Sequence, residues 1–262
     1  MSTRTKSSAT HVSRRAERRI QERRAAQQRR LGFFGGAVAV AIVAAAVLML
    51  INRGGDGGGD LPSVVAGAAI DASVPQNGRV LGDPNAPVTV VEWGDYQCPF
   101  CAQFAQQMQP QLIVDYVATG QVTFEYRDFA FLDKKLSIGS DGKVDASGVG
   151  ESVRPAEAAA CAADQGTYWT YHDTVYANHN GENGGAYSAA RLEEMARLSG
   201  LDVTAFNQCV DDRTHKAEIE QMYLERNELG IDSTPTFVVN GKLVLIGGYA
   251  DLKNAIDTAL AA

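Results

Sequence analysis

The order apolar run, Cys-x-x-Cys, helical pattern is the feature that most narrows what this chain can fold into. Val88-Thr89-Val90-Val91-Glu92-Trp93 is a short, β-branched run suited to a buried strand, and Ala102 to Tyr116 carries helical periodicity. Cys98-Pro99-Phe100-Cys101 stands at their junction. A thiolate at Cys98 would face the unpaired N–H groups and the positive dipole end of that helix, which lowers its pKa. Cysteines in such motifs reach pKa values of about 3.5–7.5, and the thiolate is the nucleophilic form. Pro99 suits the first helical position, where a missing N–H costs nothing. The spacing therefore predicts a redox pair with chemistry on Cys98.

A zinc half-site and an inert structural disulfide are the rival readings of a lone motif. Zinc needs two further Cys or His ligands at close spacing. Cys161 and Cys209 stand alone, and His11, His172, His179 and His215 have no mutual metal spacing and are expected at the surface. No metal site is expected.

The N-terminal part has a different character. Residues 31–51 form a charge-free apolar run of 21 residues, long enough to cross a hydrocarbon core about 30 Å thick. The 30 residues before it hold ten Lys/Arg against two acids, so the positive-inside rule places residues 1–30 in the cytoplasm. Beyond Ile51 the balance reverses to 14 basic and 29 acidic residues. A cleavable signal peptide is the rival, but its apolar region is about 7–15 residues long and ends near a small-x-small site. An uncleaved single-pass anchor in the cell membrane is expected, with the rest of the chain extracytoplasmic. The arginine cluster is read as a topology signal touching anionic head groups, not as a nucleic-acid site. Residues 52–78 are Gly-rich and then small and polar, and are expected to act as a flexible tether.

The stretch 79–262 is large enough for a single core. Its order is β, α, β, a helical block at about 151–230, then β, β, α. The second strand is expected over Val122 to Phe129, and a surface loop over 133–150. Asn240-Gly241 joins two late strands as a hairpin. Asp202 is expected to cap a short helix that holds Cys209. In an oxidising compartment Cys161 and Cys209 are expected to form a structural disulfide, two buried free thiols being the alternative. Tyr168, Trp169, Tyr171 and Tyr176 fall at helical spacing and are expected in the core rather than in a peptide groove.

Leu81-Gly82-Asp83-Pro84-Asn85-Ala86-Pro87, the Glu-Trp-Gly-Asp-Tyr-Gln-Cys-Pro-Phe-Cys that follows, and Thr234-Pro235-Thr236-Phe237 with Asn240-Gly241 resemble the DsbA-like branch of the thioredoxin-fold proteins. The resemblance covers about 79–262. It implies an α/β thioredoxin fold with an all-helical domain inserted between the second and third strands. It also implies protein thiol–disulfide exchange with no metal or organic cofactor. Cys98 would be the exposed nucleophile, Cys101 the buried resolving thiol, and Pro235 a cis-proline beside the active disulfide. Thr234 would offer its backbone to an extended substrate chain. Glu92 matches a buried acid that moves the proton of the buried cysteine. Its alternatives are a surface position or a pair with Arg127. Where the best-known members carry a lysine opposite that acid, the register places Glu125, with Arg127 two residues on. Phe100 stands where the strongest oxidases have a histidine.

The function these residues imply is disulfide donation to exported, thiol-containing proteins. Reoxidation would come from a membrane partner of the DsbB or vitamin-K-epoxide-reductase-like type. An isomerase or reductase of the same fold, and a redox-inert binding module with a structural Cys-x-x-Cys, are the alternatives.

Overall fold

Val88–Gly94 is buried along almost its whole length because it lies in the middle of a six-stranded sheet. The computed structural model describes residues 61–133 and 150–262, with the backbone of Ser137–Ile138 and Val144–Asp145 between them. In chain order the first elements are β1 (Gln76–Asn77), β2 (Val80–Leu81) and β3 (Val88–Gly94). Helix α1 follows, built from Pro99–Gln103, Phe104–Met108, Gln109–Leu112 and Ile113–Val117. Next come β4 (Val122–Asp128), the short pair β5 (Ser137–Ile138) and β6 (Val144–Asp145), and helices α2 (Val153–Asp164), α3 (Tyr168–Ala177), α4 (Ala189–Leu198), α5 (Val203–Asp211) and α6 (Lys216–Glu228). The chain ends with β7 (Thr236–Val239), β8 (Lys242–Val244) and α7 (Tyr249–Leu260).

The sheet order is β1-β2-β4-β3-β7-β8. β3 and β4 run parallel, which requires a crossover, and α1 supplies it. β7 and β8 pair antiparallel through Asn240 and Gly241, both at positive φ as a tight hairpin turn demands. Pairing puts Val88, Val90 and Glu92 beside Val122, Phe124 and Tyr126 on one face, with Phe237 and Val239 on the other side of β3. That face carries the main core, closed by Phe104 and Leu112 of α1, Trp169 and Tyr176 of α3, and Leu252 and Ile256 of α7. Trp93 looks the other way, into a smaller core with Phe129, Met222 and Ile231.

Pro110 lies inside α1 and has no N–H to return to Gln106. The two π turns, Phe104–Met108 and Ile113–Val117, flank the segment that holds it, as expected where the α ladder is interrupted. Gln106 and Gln109 reach across to α3, donating to the Tyr176 carbonyl at 2.7 Å and to Asp173 Oδ1 at 2.9 Å.

Helices α2 to α6 form the block inserted between β4 and β7. Ala156, Ala158, Ala159, Ala160 and Ala162 are all buried, so α2 is covered all round, the mark of a central helix. A Cys161–Cys209 disulfide joins it to α5. Asp202 caps α5 by accepting from the N–H groups of Thr204 and Ala205. Arg79, beside β2, ties the block to the sheet through Asp128 at the end of β4, Tyr168 of α3 at 3.0 Å and Glu218 of α6 at 2.9 Å.

Three expectations need correction. The tether does not run to residue 78: Pro62 accepts from Arg191 of α4, and from Val65 the chain lies against the end of α3. The Val65 N–H donates to Asn178 Oδ1 at 2.9 Å, and Asn178 Nδ2 donates back to the Val65 carbonyl at 2.7 Å. The Gly67 N–H meets Thr174 Oγ1 at 3.0 Å, and a Cβ at Gly67 would collide with the α3 backbone at Asp173 and Thr174. Val74 is buried and β1 extends the sheet. The insertion at 133–150, expected as a loop, contains the β5–β6 ladder. His172, expected at the surface, is fully buried among Tyr96, Tyr126, Trp169 and Tyr176. Among the described residues no helix is long and apolar enough to cross a membrane; the run 31–51 and the basic segment 1–30 lie outside them.

Replacing Asn178 with Ala removes both partners of Val65. The expected result is a loss of about 1–3 kcal/mol in denaturant unfolding, with faster proteolysis between residues 61 and 75. Unchanged stability together with unchanged cleavage would show that this arm does not hold to α3 as described.

Candidate active site

The site is assembled where β3, α1 and β7 meet. Cys98 is the N-cap of α1, with Pro99 at the first turn and an extended backbone at the cap. Its N–H donates to the Asp95 carbonyl at 2.9 Å, and its carbonyl accepts the Ala102 N–H at 3.0 Å. Both motif cysteines are free thiols here. The Thr234–Pro235 bond is cis, and the Thr234 carbonyl lies 3.4 Å from Cys98 Sγ. The structure thus brings together Cys98, Cys101, Thr234 and Pro235, separated by more than 130 residues of sequence.

Cys98 is not the exposed thiol the resemblance implied, being 4% exposed. The Thr234–Pro235 loop closes over it while Phe100 points outward, 66% exposed. Its pKa is nevertheless lowered to about 6, chiefly by the Cys101 thiol beside it. Burial opposes the shift, and Thr234 and the N–H groups of Cys101 and Phe100 add to it. Cys101 is fully buried, and burial, followed by its hydrogen bond to Cys98, pushes its thiol well above the ordinary range. One helical turn therefore favours ionisation of Cys98 and disfavours that of Cys101.

Glu92 lies beneath them, 1% exposed. Burial, and secondarily the charge of Cys98, pushes its carboxyl well above the usual range. Neither carboxyl oxygen has a hydrogen-bond partner among the described residues. This removes both alternatives for Glu92: it is not at the surface, and Arg127 pairs instead with Glu125 at 2.7 Å and with Glu225. The register also corrects the residue opposite it. Glu92 pairs with Tyr126, while Glu125 sits opposite Val91 and Arg127 opposite Trp93. Tyr126 Oη is 2.8 Å from Tyr176 Oη, which donates to the Asp95 carbonyl at 3.3 Å. The Tyr126 ring lies so close to Gly94 that a Cβ there would be 2.6 Å from it, so this strand end must be glycine.

Sequence reasoning missed Asp95 and Gln97. Asp95 accepts from the N–H of Gln97 at 2.8 Å and of Leu132 at 3.0 Å. Burial raises its pKa to about 7 against those bonds. Gln97, fully buried, donates to Ser152 Oγ at 2.7 Å and to Asp133 Oδ1 at 3.2 Å. Its Oε1 accepts the Asn183 N–H at 2.6 Å, and its carbonyl lies 2.9 Å from His179 Nε2. The residue before the nucleophile is thereby fixed to the inserted block. A polar residue between a strand and a Cys-x-x-Cys helix was the available signal, but its partners lie 36 to 86 residues away.

A thioredoxin family model matches residues 75–258. The chain belongs to the thioredoxin family. Its relatives include proteins named for disulfide bond formation. A probable disulfide bond formation protein D of Bacillus anthracis is 26% identical over 182 residues, covering 69% of this chain and 77% of that protein. The crystal structure of oxidised BdbD from Bacillus subtilis superposes with a TM-score of 0.61, at 23% identity, over 77% of this chain and 100% of that one. A further relative is named Na(+)/H(+) antiporter NhaA 3, of Salinispora tropica, 32% identical over 173 residues. The match covers 64% of this thioredoxin-family chain but spans only 22% of that protein.

In the reduced chain, ultraviolet absorbance of the thiolate is expected to titrate with a midpoint near pH 6. Because the Cys101 thiol is the largest cause, Cys101→Ala should move the midpoint upward, whereas Cys101→Ser, which keeps a donor, should move it less. Equal midpoints in all three proteins would remove Cys101 as the cause.

Proposed function

We propose that the chain donates its Cys98–Cys101 disulfide to exported proteins that carry free thiols. The observation that carries this reading is the Cys98 sulfur at the start of α1, its pKa lowered to about 6, lying 3.4 Å from the Thr234 carbonyl before cis-Pro235. A sulfur that is stable as a thiolate is a good leaving group and makes its disulfide oxidising.

The chemistry follows from the two unlike thiols. A substrate thiolate attacks Cys98 of the disulfide and forms a mixed disulfide, and the electron pair of the broken S–S bond leaves on Cys101. Cys101 sits where burial disfavours charge, so the departing thiolate needs a proton, which Glu92, protonated by its own burial, supplies. A second substrate thiolate attacks the substrate sulfur of the mixed disulfide, and Cys98 leaves as the stabilised thiolate. The substrate gains one disulfide, and the protein keeps two electrons as a dithiol. Turnover requires a membrane partner that takes those electrons, of the DsbB or vitamin-K-epoxide-reductase-like type. Thr234 and Pro235 receive the extended substrate chain beside Cys98.

The apolar run 31–51 behind ten basic residues supports a single-pass anchor with the thioredoxin domain outside the cell membrane. The arm docked on α3 does not belong to a free tether. Isomerisation or reduction would use the same residues, but a thiol with a pKa of about 6 favours donation.

Changing Cys101 to Ser in cells should trap disulfide-linked adducts on Cys98, formed when the Cys98 thiolate attacks a disulfide of an oxidised protein and expels one of that protein's thiolates, because the Cys101 thiol that would displace the adduct is gone. Protease added outside spheroplasts should remove these adducts and spare the N-terminal 30 residues. Absence of adducts would count against exchange with proteins, and adducts protected from protease would reverse the topology.

A further inference from the structure

The disulfide of the inserted block lies in an unexpected setting. Cys161 is on α2, three residues before Asp164; Cys209 is on α5; His215 is the residue before α6. Both sulfurs and an imidazole nitrogen of His215 lie within 4.8 Å of one another. Asp164 completes the group: its Oδ2 is 2.8 Å from His215 Nε2 and 3.9 Å from Cys209 Sγ. The other ring nitrogen, Nδ1, is 2.8 Å from Glu218 Oε2, and Glu218 is held in turn by Arg79 at 2.9 Å. A carboxylate on one imidazole nitrogen fixes the ring and aims the opposite nitrogen as a ligand. The sequence did not reveal this group, because its four members come from α2, α5 and the residue before α6 and share no motif spacing.

We propose that reduction of Cys161–Cys209 converts this cluster into a binding site for a divalent transition metal of the zinc class. The ligands are Cys161 Sγ, Cys209 Sγ, His215 Nε2 and Asp164 Oδ2. Tetrahedral coordination with Zn–S near 2.3 Å and Zn–N near 2.0–2.1 Å sets ligand atoms about 3.3–3.8 Å apart. The sulfurs need only part from bonding to contact distance, and the His215 nitrogen already lies within 4.8 Å of both. Two thiolates select zinc-like ions over magnesium and calcium. Cys161 is buried, while Cys209 and His215 are half-buried and Asp164 is open to solvent, so an ion has a path in.

The redox balance is simple. A dithiol reductant gives two electrons and two protons to the S–S bond and becomes a disulfide itself, leaving Cys161 and Cys209 as thiols. Metal binding then displaces the two thiol protons. Oxidation by a disulfide compound withdraws two electrons from the thiolates, reforms the S–S bond and expels the ion. In the reduced chain the metal takes over the disulfide's role of joining α2 to α5 and adds α6. None of this depends on exchange at Cys98.

The test uses the full-length chain with Cys98→Ser and Cys101→Ser, so that only Cys161 and Cys209 can supply thiolates. After reduction with a phosphine and removal of the reductant, the protein is titrated with Co²⁺ and then with Zn²⁺ against a chromophoric chelator. One Co²⁺ per chain is expected, with thiolate-to-cobalt charge-transfer absorption that Zn²⁺ abolishes. The unreduced protein should show no such absorption, and oxidised glutathione should release the ion. His215→Ala and Asp164→Asn should each weaken binding about tenfold or more. Glu218→Gln, which leaves all four ligands in place, should weaken binding by a smaller factor. Circular dichroism of each variant in the disulfide form establishes that it is folded. The proposal is overturned by a reduced protein that binds no stoichiometric Co²⁺, or by binding that His215→Ala and Asp164→Asn leave unchanged.

Discussion

The negative charge on Cys98 organises the rest of the structure. It is held at the N-terminus of α1 by the Cys101 thiol, by Thr234 and by the first free N–H groups of the helix. Each requirement of that charge explains a neighbouring feature. The helix must begin at the nucleophile, so Pro99 occupies its first turn. The second thiol must stay neutral to donate, so Cys101 is fully buried. The Thr234 carbonyl, before the cis peptide, lies 3.4 Å from the sulfur and accepts from its protonated form, while the Thr234 side chain favours the thiolate.

The inserted helical block serves the same end. Gln97, the residue before the nucleophile, bonds to Asp133 beyond β4, to Ser152 at the start of α2 and to the 179–183 loop. Arg79 ties β2 and β4 to α3 and α6. The loop that presents Cys98 is therefore held from both the strand and the insertion, and a substrate meets a preformed site.

Much of this was legible because local signals and tertiary demands agree. The apolar run at 88–93, the motif helix, the Asn240-Gly241 hairpin and the Asp202 cap each depend on residues a few positions apart. What escaped depended on distance or on single-residue offsets. Strand register has a period of two, so a slip of one exchanges every facing residue. That slip put Glu125 rather than Tyr126 opposite Glu92. β1 and β2 are two residues each, too short for any periodic signal, so the docked arm read as tether. Alone, His172 resembles a polar surface residue; only the aromatic side chains around it, drawn from β4, α3 and the loop after β3, show it to be core. The burial of Cys98 comes from Thr234, 136 residues away.

The central claim is that stabilisation of the Cys98 thiolate makes the reduced protein gain on the oxidised one as pH rises. A thiol whose folded pKa is near 6 and whose unfolded value is about 8.5 contributes its full stabilisation above the unfolded value and loses it as pH falls through the folded one. The deciding measurement is the difference in denaturant stability between the reduced and oxidised Cys98–Cys101 forms from pH 5 to pH 8.5, with Cys161–Cys209 intact in both. The account predicts that this difference moves in favour of the reduced form by about 3 kcal/mol across that range, most of it above pH 6. A difference that does not change with pH, or that moves toward the oxidised form, would contradict it.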